Sequence, residues 1–244
     1  MSESQKDLKK ELKRNLRGVG SATVESLVKK LSALPYDRML LITDVSFALA
    51  TTNLRTAVEM LKAAPDVSRL IDASDVRVWA EVGKRLSATS AESAASFFQS
   101  SAAILEELPE ATRSPVLRLI NKQAALSANT AIESFKSSPG IIDSISCAAS
   151  VEQILTICLE LARHSVKHSY DLFISAPQVL SQIETHANEQ ARSLIDRALV
   201  LTSSFAFRSG GTAAEFFGEL PTVLIGADRA SVDKLFDITE SYLD

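Results

Sequence analysis

The chain has few of the residues that usually announce chemistry. Among its 244 residues are two cysteines, three histidines, one tryptophan and eight glycines. Cys147 and Cys158 lie eleven apart with no Cys-x-x-Cys pair, which argues against a zinc ribbon, a redox dithiol or a disulfide framework and fits a reducing compartment. The opening "MSESQKDLKKELKRNL" lacks the apolar core of a secretory signal, and no apolar run approaches the twenty residues of a membrane span. Net charge is −4 at a pI near 5.5, so no general attraction to nucleic acid is expected. The expected location is cytoplasmic, with no cofactor and no metal. Charge is unevenly spread: residues 1–38 hold nine Lys/Arg against five Asp/Glu, and the remainder is net acidic.

What is present is a repeat. Five segments share an apolar residue, three spacers and a mostly proline position: "LKAAP" at Leu61, "FQSSA" at Phe98, "FKSSP" at Phe135, "FISAP" at Phe173 and "FGELP" at Phe217. The steps are 37, 37, 38 and 44, with "LSALP" at Leu31 as a degenerate earlier copy. Ile42, Trp79, Val116 and Ile154 keep the same register, as do Ala57, Ala94, Ala131 and Ser169. Apolar residues recur at three and four within each unit, which is helical periodicity. Serine before proline reads as an N-cap followed by a first-turn proline, hence a helix break.

Each unit is therefore expected to hold three helices, as in helix A (Val76–Ala88), helix B (Ala91–Ser100) and a short helix C (Ala103–Leu108). The fold expected is all-α: a right-handed α-solenoid of about five armadillo/HEAT-like three-helix repeats of about 37 residues. Residues 1–20 would form a basic amphipathic capping helix, 21–229 the array, and 230–244 a C-terminal capping helix. In that last helix Val232, Leu235, Phe236, Ile238 and Leu243 are expected to face inward.

The stretch "LLITDVSFALA" (Leu40–Ala50) has the look of a strand carrying the Asp-x-Ser-x-Ser cation motif of a von Willebrand A domain. The register argues otherwise. Ile42 is the mate of Trp79, so Asp44 and Ser46 fall inside a helix, and the third ligand position is Ala48.

The phrase "VWAEVGKRLSATSAESAASFFQSSAAIL" (Val78–Leu105) resembles the helical repeats that precede the metal-binding domain in von Willebrand A accessory proteins of MoxR-type AAA+ ATPases. Members of that family help to activate nitric oxide reductase or Rubisco. Trp79, Gly83, Phe97, Phe98, Ile104 and Leu105 carry the likeness, which extends over about Asp37 to Ala227. The resemblance implies a stand-alone version of the scaffold part, because the family's metal motif is missing here.

Other constellations weigh little. His164 and His168, four apart, could share a helix face and hold a transition metal, but surface histidines are the simpler reading. "RGVGSAT" (Arg17–Thr23) and "RSGGT" (Arg208–Thr212) lack the Walker lysine. The first reads as a helix C-cap followed by an N-cap. The second reads as an exposed, mobile loop holding the six or seven extra residues of the fifth unit. Glu106 and Glu107 read as solvated helix-end charges, and no serine sits in a nucleophile elbow.

The function expected is a non-enzymatic protein-interaction scaffold, an accessory of an AAA+ ATPase system if the resemblance holds. Its partner-binding candidates are the polar ladders Arg55, Glu92, Asn129, Lys167 and Glu59, Ser96, Glu133, Asp171, together with Arg208. Two rivals remain. A HEAT-like DNA-binding or glycosylase solenoid would need a basic groove, which the acidic remainder argues against. A peripheral membrane protein would use the basic face of Lys6–Arg17, around the stripe Leu8, Leu12, Leu16 and Val19.

Overall fold

The computed structural model describes residues 3–145, 147–186 and 191–244, and among them it contains helices and no strand. The helices are α1 (Glu3–Asn15), α2 (Ser21–Leu31), α3 (Tyr36–Thr52), α4 (Leu54–Leu70), α5 (Ala73–Thr89), α6 (Ala91–Glu107) and α7 (Glu110–Ala124). They continue with α8 (Ala128–Ser144), α9 (Ala148–His164), α10 (Val166–His186), α11 (Ala191–Arg208), α12 (Gly210–Gly226) and α13 (Arg229–Leu243). The protein is all-α. It divides into two compact units, Met1–Lys136 and Ser137–Asp244.

Local structure repeats at one kind of corner. Asn53, Ser90, Ser127, Ser165 and Ser209 each stand eight residues before a repeat anchor. The N–H of each donates to the last turn of the helix before it, at 2.6–2.7 Å, onto Leu49, Leu86, Gln123, Leu161 and Phe205. The side chain of each accepts the backbone N–H three residues on: Thr56, Ser93, Thr130, His168 and Thr212, at 3.0 to 3.4 Å. One extended residue thus ends one helix and caps the next, as its φ near −155° shows at Asn53 (φ −152) and Ser90 (φ −159). The cap to Ala costs about 1 kcal/mol at such a position.

The helix after each corner does not break. Pro65, Pro139, Pro177 and Pro221 all lie inside continuous helices, and Ala102 occupies the matching place in α6. The expected helices B and C are therefore one helix, and the unit is a helix pair. A mid-helix proline costs about 3 kcal/mol. The turns beyond it bury Val67, Leu105, Ile142, Val179 with Leu180, and Leu224. At about 1.5–3 kcal/mol per buried side chain, that packing holds the helix together through the proline. The serines beside it bond backward along the helix instead of capping: Ser101 Oγ donates to Phe97 O (2.6 Å) and Ser175 Oγ to Leu172 O (3.2 Å).

In the first unit α1, α3, α5 and α7 pack one on the next, and so do α2, α4 and α6, giving two layers joined by the pairs α1–α2, α3–α4 and α5–α6. The anchors Leu61, Phe98 and Phe135 are buried. Trp79, also buried, meets Phe98 edge-on at 5.3 Å, and Phe97 lies 4.8 Å from Phe135. The Trp79 indole N–H donates to Ser101 Oγ at 3.0 Å, which satisfies its one donor. Gly83 makes this cluster possible, since a Cβ there would sit 2.6 Å from Phe98 Cζ. Trp79, Gly83, Phe97 and Phe98 thus form one packed knot.

In the second unit α9, α11 and α13 form one layer and α10 and α12 the other. Phe173 and Phe217 are buried. The extra residues of the fifth unit are not at Arg208–Thr212. Arg208 ends α11, Ser209 is an ordinary corner, and Gly210 is buried in α12 against His168, Leu161 and Ser165. The lengthening comes earlier: α10 has 21 residues where α4, α6, α8 and α12 have 17, and residues 187–190 lie outside the described ones. Of the C-terminal helix, Val232 and Phe236 are buried and Leu243 is half-buried, while Leu235 and Ile238, expected to face inward, are exposed.

Candidate interaction surfaces

The stripe of α1 is used internally. Leu8, Leu12 and Leu16 are buried where α1 meets α2 and α3, so the apolar face that a membrane would need is covered. Lys9 Nζ reaches Glu25 at 2.7 Å and holds that carboxyl below its usual range, pinning α1 to α2.

Beside this contact, an open groove of about 670 Å³ runs between α1 and α3. Its floor includes Leu8, Met39 and Phe47, and its α3 wall exposes Tyr36 (60%) and Leu40 (46%). The charged residues along it are Asp7 and Glu11 from α1 and Asp44 from α3, with no lysine or arginine among the lining residues. This separation follows from helical spacing. Asp7, Leu8 and Glu11 face the groove, Lys6, Lys9 and Lys13 lie off that face, and Lys10 and Arg14 flank the same two carboxylates in an adjoining hollow outside the groove lining. Glu11 touches Arg14 at 3.7 Å, and Asp44 pairs with Lys84 of α5. Asp44 and Ser46 are helical, as the register required, and Ser46 Oγ donates to Thr43 O at 2.8 Å.

A second groove, of about 380 Å³, runs between α9 and α11 in the second unit. Ile157, Leu199 and the half-exposed Val200 form its apolar part, and Glu152, Thr156 and Ser203 its polar part. Near the start of α9, Cys147 accepts from Arg192 Nη2 at 3.2 Å. The N–H groups of Ser150 and Ala149, and then Arg192, hold its thiol below the usual value, while burial pushes the Cys158 thiol up.

Of the ladder residues, Arg55, Glu92, Glu133, Lys167 and Asp171 are exposed, and Glu59 is half-buried with Lys62 Nζ at 3.2 Å. Arg208 is exposed, and its Nη1 donates to Tyr242 O at 3.4 Å. His164 and His168 do not share a helix. His164 ends α9 beside Glu160 (3.8 Å), and His168 lies beyond the Ser165 corner in α10, half-buried against Gly210. Among the described residues no group of three or more His, Cys, Asp or Glu is placed to hold a metal ion. No helix among them is long and apolar enough to cross a membrane. The α1–α3 groove is not evident from the sequence, because Asp7 and Glu11 stand among the lysines of α1. The signal lay in their spacing with Leu8 and in the exposed pair Tyr36 and Leu40. No family model, curated protein or solved structure matches the chain.

Proposed function

We propose that the protein is a non-enzymatic scaffold, a right-handed α-solenoid of helix pairs that presents helix faces and inter-helix grooves to a protein partner in the cytoplasm. The observation that carries this reading is the α1–α3 groove: an apolar floor, exposed Tyr36 and Leu40, and charge of one sign along the edge. Apolar anchoring inside a polar rim is what protein recognition uses. The regular corners support the solenoid, because Arg55, Glu92, Asn129 and Lys167 each stand two residues past the corner of successive helix pairs. The two free thiols suit a reducing compartment. The resemblance of Val78–Leu105 to accessory-protein repeats makes a MoxR-type AAA+ ATPase the first partner to test.

The test is affinity capture of the full chain with crosslinking and mass spectrometry, run beside the charge reversals Arg55→Glu, Glu92→Lys and Asp171→Lys and the groove variant Leu40→Glu. A stoichiometric partner, crosslinked to these faces and lost with one of the four variants, is expected. A partner retained by every folded variant, or a catalysed turnover, would overturn the reading.

A further inference from the structure

We propose that the α1–α3 groove is the docking site for a basic amphipathic helix of a partner protein. The inference rests on the scaffold reading and names the chemistry of its partner. The two helices offer matched ridges. Tyr36, Leu40 and Phe47 recur along one face of α3, and Asp7 and Glu11 are one turn apart on α1. From Tyr36 to Phe47 is eleven residues, about 16 Å of helix at 1.5 Å per residue. That is three turns, enough to accommodate the two turns, about 10.5 Å, over which a helix seats anchors at i, i+3 or i+4, and i+7.

Charge selects the occupant. Three carboxylates line the groove with no cation among the lining residues, so an incoming helix gains by carrying Lys or Arg beside its apolar stripe. Arg14 and Lys84 already share Glu11 and Asp44, while Asp7 makes no ion pair among the described residues. An anionic lipid surface would meet these carboxylates with repulsion, and an acidic helix likewise. The apolar floor supplies the second requirement. Leu40 is about half exposed and Tyr36 more so, and covering them removes apolar surface from water.

The test uses the full chain and two fluorescein-labelled 18-residue helical peptides with the same leucine stripe, one with lysine and one with glutamate at the flanking positions. Fluorescence anisotropy should show saturable binding of the lysine peptide, weakened at least tenfold by 0.5 M salt, and no comparable binding of the glutamate peptide. Leu40→Glu and the double variant Asp7→Lys with Glu11→Lys should each weaken binding tenfold or more. Glu106→Lys, a reversal on exposed α6 surface away from the groove, should leave it within twofold. Circular dichroism confirms that each variant folds. Equal binding of both peptides, or unchanged binding by folded Leu40→Glu, would overturn the proposal. So would self-association of the unliganded chain that Leu40→Glu abolishes, since a second copy would then be the occupant. If the peptide fails while a captured partner is lost on Arg55→Glu or Asp171→Lys, the groove assignment falls and the scaffold reading stands.

Discussion

The two units hold their helices by different means. In the first, Trp79, Phe97, Phe98 and Phe135 form a buried ring cluster with Gly83 beneath it. In the second, the last helix is held to α11 largely at the surface. Arg197 Nε donates to Glu240 at 2.9 Å, its Nη2 pairs with Asp237, its Nη1 lies 3.4 Å from Asp233, and its guanidinium stands 5.4 Å above the Phe236 ring. The rings nearby, Phe205 and Phe216, are only half-buried, with centroids 5.0 Å apart. Packing of this kind is indifferent to salt and to mild acid, whereas an ion cluster responds to both. The same helix-pair motif is therefore expected to fail under different conditions in the two units.

The largest expected effect is in the ring cluster. Phe135→Ala removes a fully buried ring and should cost about 3–5 kcal/mol, with little dependence on salt. Chemical denaturation followed by tryptophan fluorescence reads it through Trp79, the one tryptophan. A loss below about 1 kcal/mol would end the claim that the repeat anchors carry the core.

Next come the glycines, which separate the units sharply. At Gly83 an added methyl meets Phe98 at 2.6 and 2.8 Å and Val45 at 3.1 Å, so Gly83→Ala should destabilise by about 1–3 kcal/mol despite the better helix propensity of alanine. At Gly210 the nearest atoms are 3.4 to 3.6 Å away, ordinary contacts, so Gly210→Ala should be neutral or stabilise by up to about 1 kcal/mol. Equal effects at the two sites would break the comparison.

These positions also show what could be seen in the sequence. The register and the buried anchors were legible because large apolar residues recur at fixed steps, and burial at Phe98, Phe135, Phe173 and Phe217 follows from that alone. Local preference puts helix breaks at the serine–proline steps, whereas packing beyond the proline decides the outcome. The true corners, at Asn53 and four serines, were in the sequence at the same steps, but a small polar residue is a faint signal among so many serines. Gly210 and Gly211 looked like a loop because glycine is permissive. Only the tertiary contact with His168 shows why α12 can start there. The α1–α3 groove was hidden for a third reason: which side of α1 faces α3 is a property of packing.

A third experiment probes the second unit. Arg197→Ala should loosen α13 and lower stability by less than either Phe135→Ala or Gly83→Ala, because exposed ion pairs are individually weak. Hydrogen exchange should rise in Arg229–Leu243 and stay unchanged in α5 and α6. In 0.5 M salt the wild-type helix should exchange faster and the variant should be affected less. A salt response that persists in the variant would assign it to other charges.

The smallest effect expected is the response of the same helix to pH. Hydrogen bonding and then charge from Arg197 hold the Glu240 carboxyl below its usual range. A carboxyl whose folded value lies below its unfolded value binds fewer protons when folded, so its contribution is complete above the unfolded value, about 4.3, and declines as pH falls through the lower folded value. Exchange in α13 should therefore be flat between pH 7 and pH 5, after correction for intrinsic chemistry, and rise below about pH 4.5. Glu240→Gln keeps the shape but removes the titration, so its exchange should start higher and depend less on pH. The ring cluster around Trp79 contains no titratable group, and its near-ultraviolet signal should outlast the loosening of α13 on the acid side. If the Trp79 signal and α13 protection are lost together, the two units do not differ in the way the contrast between rings and ions requires.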